Sequence, residues 1–248
     1  NQFILGINGS ANLSEIEKDS FLGQAHAMRA FYYFQLALEF QHTYSYDLTL
    51  PAPPIYEEPA IEGKAMSTLG EIYDFIVADL NIAIETTPTD RTNKSFINRD
   101  VVYAIMARVQ LVMGNWQEAS NAAAIARQAY PLNANQYRTG FDDINASEWI
   151  WGMPQRADQT NYFFIAPHAF TDNINDGYGL AFWNKDFVSL FSATDVRNTF
   201  LDIYGVGNGN QYFARASSKF TFDFSSDIPI IRSPEVMLIA IEAHARLG

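Results

Sequence analysis

From Asp19 to about Gln41 the chain consists of helix formers, with no proline and no glycine after Gly23, and Phe21, Ala25, Met28, Tyr32, Leu36 and Phe40 recur at steps of three or four residues. That spacing predicts a helix. Leu22, Phe31, Phe34 and Leu38 occupy its other side, so the helix is apolar nearly all round and is expected to lie centrally, sandwiched between neighbours. Between His42 and Pro59 the periodicity stops. Tyr44, Tyr46, Tyr56 and four prolines predict a long loop there, because the residue before a proline is pushed out of the helical region. Loops of this length often carry function.

Thr68 and Glu71 have the spacing of a capping box, placed just before an apolar stripe of Leu69, Ile72, Ile76, Leu80 and Ala83. The helix they open runs to Thr87 and stops at Pro88. Asn98 can cap a further helix carrying Val101, Ala104, Ile105, Arg108, Leu111 and Val112; after a break at Gly114 and Asn115, Trp116, Ala119, Ala123, Ala126 and Ala129 begin another stripe. Two antiparallel helices follow. The small alanines allow close backbone approach, and Trp116 fills the wedge beside the turn. The spacing of Ala107, Leu111, Gly114, Trp116, Ala119, Ala126 and Pro131 is similar to one tetratricopeptide repeat, with a partial echo ending at Pro88. The echo lies 43 residues upstream, proline to proline, against a usual period of about 34, so inserted loops are expected between helix pairs.

From about Tyr137 to Phe224 the pattern changes to short aromatic and polar stretches rich in Asn, Asp and Gly. Glu148 to Trp151 reads as one strand, with Trp149 and Trp151 on one face, and Asn184 to Ser192 as a short helix. Ser233, Pro234 and Glu235 supply an N-cap, a proline at the first helical position and an acidic first turn for a last helix through Leu247. Met237, Leu238, Ile241 and Ala245 on that helix call for a partner, and a chain that starts without Met is expected to be a trimmed piece of a longer parent. The expected fold is mostly α, a tetratricopeptide-like helical scaffold with a loop-rich region carrying few short strands. We read it as a single domain over 1–248, with a helical body at 14–131 and 233–248 and a loop-rich, ligand-facing part at 132–232.

Composition narrows the function. With 48% hydrophobic and 18% charged residues the chain can bury a large core, and a formal charge of −12 without any basic block argues against nucleic acid. Zero cysteines exclude disulfides, thiolate nucleophiles and Cys-ligated zinc. The four histidines (His26, His42, His168, His244) show no metal spacing, and neither a G-x-S-x-G nor a Walker motif is present. No cofactor is implied. Asp142, Asp143 and Glu148 imitate a glycosidase pair in composition, but adjacency in sequence does not establish the separation that glycoside hydrolysis needs; a solvated acidic loop is the plainer reading.

Gln24 to Phe40, with its A-x-x-x-R-A-x-x-Y-F-x-L pattern around Arg29, resembles the signature helix of the SusD/RagB family. Thr68 to Pro88, Val101 to Trp116, Asp195 to Arg197 and Ile228 to Ala243 resemble four further family segments in the same order, together about half the chain. The resemblance implies an outer-membrane lipoprotein of Bacteroidetes that captures glycans at the cell surface, caps a TonB-dependent, SusC-like transporter and catalyses nothing. The membrane would be reached only through an N-terminal lipid anchor, whose cysteine this chain lacks. Arg29, Arg108 and Arg232 are expected to pair with buried carboxylates such as Glu235 or Glu242 and so to hold the scaffold.

Sugars present an apolar C–H face that packs on aromatic rings, and hydroxyls that need amide and carboxylate partners. The resemblance places the ligand face on two loop regions, so the candidate ligand residues are Tyr44, Tyr46 and Asp47 in one and Asp176, Tyr178, Trp183 and Asn184 in the other. The competing readings are that these aromatics cover the core, that the helical repeat holds a peptide or protein in its groove, and that the chain acts mainly as a lid on its transporter.

Overall fold

The computed structural model describes residues 1–133, 137, 140–158, 167–172, 181–202, 215–217 and 219–248. They fall into two compact units, one formed by 1–129 with 233–248 and the other by 130–232.

The first unit is helical. Helix α1 spans Gln2–Asn8, α2 Glu15–Phe40, α3 Leu69–Thr86, α4 Arg99–Met113, α5 Trp116–Ala126 and α8 Ser233–Leu247, with a two-residue ribbon of β1 (Pro51–Ala52) and β2 (Ser67–Thr68) ahead of α3. Helix α3 follows its sequence pattern closely. Thr68 Oγ1 accepts the Glu71 N–H at 3.2 Å while Glu71 Oε2 accepts the Thr68 N–H at 2.7 Å, and Leu69, Ile72, Ile76, Leu80 and Ala83 are all fully buried. Burial at this level stabilises each large aliphatic side chain by about 1.5–3 kcal/mol. Helices α4 and α5 form the tetratricopeptide-like pair. Asn98 caps α4 through the Val101 N–H, and Gly114, at φ +78°, supplies the left-handed C-cap that a residue with a Cβ adopts at a cost. Trp116 lies against that turn, with the Arg246 guanidinium of α8 5.4 Å from its ring centre.

The placement of α2 corrects the sequence expectation. It begins earlier, at a capping box of Ser14 and Glu17, and it is not sandwiched. Its packed face consists of Gly23, Ala27, Ala30, Tyr33, Phe34 and Ala37, with Phe34 edge-on to Tyr73 and Tyr33 edge-on to Phe75 of α3. The stripe of larger residues faces outward instead: Phe21, Tyr32, Leu36 and Phe40 are exposed, Phe40 at 69%. The physical reason is close approach, since a small-residue face lets two helix backbones come nearer than bulky side chains would permit. The enclosed helix is α4, buried at Val101, Val102, Ala104, Ile105, Met106, Ala107, Val109 and Gln110 and packed on α3, α5, α8 and α2.

Gly23 packs closely against the C-terminal end of α3. A Cβ there would lie 2.3 Å from Thr87 Oγ1 and 2.8 Å from the Thr87 backbone nitrogen. Gly23→Ala is therefore expected to destabilise the protein by about 1–3 kcal/mol, although alanine is the better helix former by about 1 kcal/mol. Urea unfolding of the two proteins measures this; an alanine variant as stable as the parent would contradict the close packing.

The second unit contains short elements: β3 Trp149–Met153, α6 Pro167–Thr171, α7 Lys185–Val188, β4 Phe200–Asp202, β5 Arg215–Ser217 and β6 Ile228–Arg232. Strand β3 pairs antiparallel with β6, and β4 with β5. The strand at Trp149 is where the sequence placed it. Trp149 and Trp151 are both buried, and a register shift between them interrupts the simple alternation. Strand β6 falls in the segment that resembles the family, for which no strand was expected; Pro229 is tolerated because a two-stranded ribbon leaves one edge of every strand unpaired. The short helix expected at 184–192 is α7.

Candidate functional site

The three signature arginines each meet a carboxylate. Arg29 on α2 grips Asp79 on α3 with two forked bonds of 2.7 Å, and His26 Nδ1 lies 2.7 Å from the same carboxylate. Burial acts to raise the Asp79 pKa, yet the hydrogen bonds and charges of Arg29 and His26 outweigh it and leave the carboxyl below its ordinary range. Arg108 on α4 forks onto Glu235 on α8 at 2.6 Å for both bonds, and Arg232 donates to Glu148 at 2.8 Å. Glu242, the other expected partner, bonds Arg246 one turn along α8. The pairs of Arg29, Arg108 and Arg232 each tie two elements together, and Arg108 with Glu235 also lines a groove of the helical unit. Asp195 and Arg197 form a local fork that holds the Asp195 carboxyl down at about 2.

The carboxylates that imitate a glycosidase pair are committed to structure. Glu148 takes the Arg232 bond and the Asn133 N–H, Asp142 accepts from Thr221, and Asp143 accepts the Asn145 N–H. Among the described residues no group of His, Cys, Asp and Glu could hold a metal ion, and no helix is long and apolar enough to cross a membrane.

The aromatic candidates divide between the units. In the first, the loop after α2 brings Tyr44, Tyr46 and Asp47 together. Tyr44 is half-buried, its ring edge-on to Tyr73 with centroids 4.7 Å apart, and burial together with Tyr44 pushes the Tyr73 phenol up to about 12. Tyr46 is 67% exposed and lies against the ring of His42, centroids 4.5 Å apart and planes tilted by 31°. Asp47 Oδ1 accepts both the N–H and the hydroxyl of Thr49, which holds its carboxyl below the usual range and makes it the brace of the turn. In the second unit, Trp183 is 42% exposed, stacked on Phe187 at 5.3 Å and 21° and edge-on to Phe200. The Asn184 side-chain oxygen caps α7 through the Asp186 N–H at 2.8 Å. Asp176 and Tyr178 lie outside the described residues.

The ring partners His42 and Phe187 were not singled out from sequence. Each stands four residues from its aromatic neighbour, a spacing legible only in hindsight because neither pair lies in a regular helix. Asp79 was missed as the partner of Arg29: its place in the Thr68 to Pro88 segment and its charge within an apolar stripe mark it, but neither says which residue it meets. A separate feature of the helical unit is a groove of about 440 Å³ between α2, α4 and α8, with apolar walls that include Leu38, Leu111 and Leu238 and with Arg108, Glu235 and Glu242 also in its lining.

A family model described as SusD-like, starch-binding and associating with the outer membrane matches residues 5–111. The structure is similar to that of a SusD-like carbohydrate binding protein from Bacteroides vulgatus ATCC 8482, with 28% sequence identity and a TM-score of 0.86 over 98% of this chain and 54% of that one. A SusD superfamily protein from Bacteroides thetaiotaomicron VPI-5482 aligns at 23% identity and TM-score 0.86, over 100% of this chain and 60% of its own. Surface glycan-binding protein A from Bacteroides uniformis shares the fold at 20% identity and TM-score 0.72, over 100% and 59%. The chain thus spans between half and two thirds of the length of these solved structures. No curated protein matches it.

Proposed function

We propose that the chain is a SusD-like, cell-surface glycan-binding protein that captures oligo- or polysaccharide at the outer membrane and passes it to a TonB-dependent, SusC-like transporter, a reading supported by the match over residues 5–111 and by the likeness to a SusD-like carbohydrate binding protein. Binding is by ring stacking and hydrogen bonds, with no covalent step. The observation that carries the reading is the pair of exposed aromatic stacks, Tyr46 on His42 and Trp183 on Phe187, each held on a loop or short helix by packed rings and braced turns. Rings fixed before the ligand arrives lose little entropy on binding and offer a flat apolar face to the C–H side of a sugar. Of the candidate ligand residues, Tyr46 and Trp183 are assigned the stacking role, Tyr44 the support beneath, and Asp47 and Asn184 the bracing of their turns.

Calorimetric titration with a panel of oligosaccharides tests this. Tyr46→Ala and Trp183→Ala are each expected to weaken binding of a recognised sugar by about tenfold or more while leaving the melting temperature close to that of the parent. A folded protein that gives no heat with any glycan would sink the reading.

The second reading, a scaffold for a peptide or protein, is favoured by the apolar groove between α2, α4 and α8 and by the exposed stripe on α2. Apolar surface of that kind commonly marks an interaction site. The two readings separate by location: the first loses binding on changes at the loop aromatics, the second on changes at Leu38 or Leu238.

A further inference from the structure

We infer that the turn of Asp195 and Arg197 is a positioning device for Trp183: the guanidinium seats Phe191, and through Phe191 and Phe200 the turn fixes the ring on which a sugar stacks. This rests on the glycan-binding reading, and it gives a role to a turn that the family resemblance singled out and that the proposed site does not use.

Four rings form one block. Trp183 stacks on Phe187 with centroids 5.3 Å apart and planes 21° from parallel, and it meets Phe200 edge-on at 5.7 Å. Phe191 lies edge-on to Phe187 and to Phe200, at 5.2 Å in each case. Both ring neighbours of Trp183 therefore share Phe191 as a neighbour. Rings at these separations attract one another beyond the area they bury, so the pose of one constrains the next.

Arg197 holds Phe191 from outside the four rings. Its guanidinium carbon lies 5.2 Å from the Phe191 ring centre, within reach of a cation–π contact. The arginine side chain is 61% exposed, and the carboxylate of Asp195 is what steadies it. Arg197 Nε and Nη2 donate to the two Asp195 oxygens at 3.0 and 2.7 Å, and the Arg197 backbone N–H donates to Asp195 Oδ1 at 2.8 Å. A forked pair fixes the plane of the guanidinium as well as its place. The turn is closed by the Asp195 N–H on the Ser192 carbonyl at 3.1 Å and by the Asn198 N–H on the Asp195 carbonyl at 2.9 Å.

The same turn leads directly into β4, which begins at Phe200. The Thr199 N–H donates to the Arg197 carbonyl at 2.8 Å, and Thr199 is buried, so the turn sets the entry to the strand. Strand β4 places Asp202 opposite Arg215 of β5, and the Arg215 carbonyl accepts the Trp183 N–H at 2.8 Å. Trp183 is thus held to the ribbon by its main chain and to Phe200 by its ring, while the turn sets both Phe191 and the start of the ribbon. A ring fixed in this way loses little entropy when a sugar settles on it.

The test compares the parent chain with Arg197→Ala, Asp195→Ala and Trp183→Ala by calorimetric titration with maltoheptaose, cellohexaose and xylohexaose. Acrylamide quenching of tryptophan fluorescence is read for the parent and the two turn variants, each with and without Trp183→Phe, so that the difference belongs to Trp183. Both turn variants are expected to keep the far-ultraviolet circular dichroism of the parent and to raise the quenching constant of Trp183. For the sugar bound best they are expected to weaken affinity about threefold to tenfold, and Trp183→Ala at least as much. Parent-like quenching in both turn variants would overturn the inference whatever the affinities, since the ring would not depend on the turn. Altered quenching with parent-like affinity would overturn it as well, because binding would not depend on the pose of the ring. No heat from any of the three sugars with the parent would overturn the glycan reading, and the turn's role in binding with it, leaving altered quenching as a sign of packing alone.

Discussion

Asp79→Ala is expected to cost the helical unit about 3–5 kcal/mol of unfolding free energy, the range for removing one partner of a buried ion pair. Asp79 is 2% exposed and Arg29 14%, so solvent screens the pair little. Without the carboxylate, the Arg29 guanidinium and the His26 ring nitrogen each keep the cost of leaving water and lose the bonds that offset it. Remaining contacts compensate only in part: Arg29 donates to the Asn1 side chain at 2.8 Å and lies over the Phe75 ring at 4.8 Å. Urea unfolding followed by far-ultraviolet circular dichroism gives the number. A change below about 1 kcal/mol would mean that the pair contributes no more than an exposed one.

The same carboxylate predicts a pH dependence. Its folded pKa is lowered relative to the unfolded chain, so the linked stability is fully present above the ordinary carboxyl value of about 4 and is lost as pH falls through the folded value. The stability difference between the parent and Asp79→Asn is therefore expected to shrink as pH falls below about 4. A difference that grew below about pH 4 would reverse the sign and reject the assignment.

Trp149→Ala is expected to cost the second unit a similar amount, about 3–5 kcal/mol, for a different reason. The indole is fully buried, its Nε1–H donates to the Gly140 carbonyl at 2.7 Å, and the backbone of Gly152 approaches so closely that a Cβ there would lie 2.6 Å from the ring. Truncation empties a large volume and orphans a carbonyl in one step. Trp149→Phe fills most of the cavity but still lacks the donor, so an intermediate loss is expected. Limited proteolysis within 130–232 reads out this unit directly. Equal resistance in parent and alanine variant would show that the indole does not hold the unit together.

Local signals read well from the sequence. The α3 capping box, the Asn98 cap, the Gly114 stop and the small-residue face of α5 all depend on residues within a few positions of one another, and all appear in the structure. The family-bearing segments read equally well, because the arginines at their centres do find carboxylates. The partners of those arginines were harder. Asp79 and Glu235 both stand inside recognised segments, but they are 50 and 127 positions from Arg29 and Arg108, and Glu148 is 84 from Arg232; nothing local marks a pairing over such distances.

In the candidate site, Tyr46 and Trp183 were legible as loop aromatics, but their exposure was not, nor were the ring partners that fix their orientation. Asp47 and Asn184 were legible as polar neighbours. Only coordinates could reveal that their oxygens are turned inward on the Thr49 and Asp186 N–H groups.

Residue order alone carries the helical class, the boundaries of α3, α4 and α5 set by caps and breakers, and the family resemblance. Which face of α2 packs was decided only by tertiary structure. Apolar periodicity measures how hydrophobic a stripe is, whereas packing selects the face that lets backbones approach, and here the small side of Gly23, Ala27, Ala30 and Ala37 meets α3 while Tyr32 and Phe40 face outward. A helix apolar on every side leaves its orientation to its neighbours.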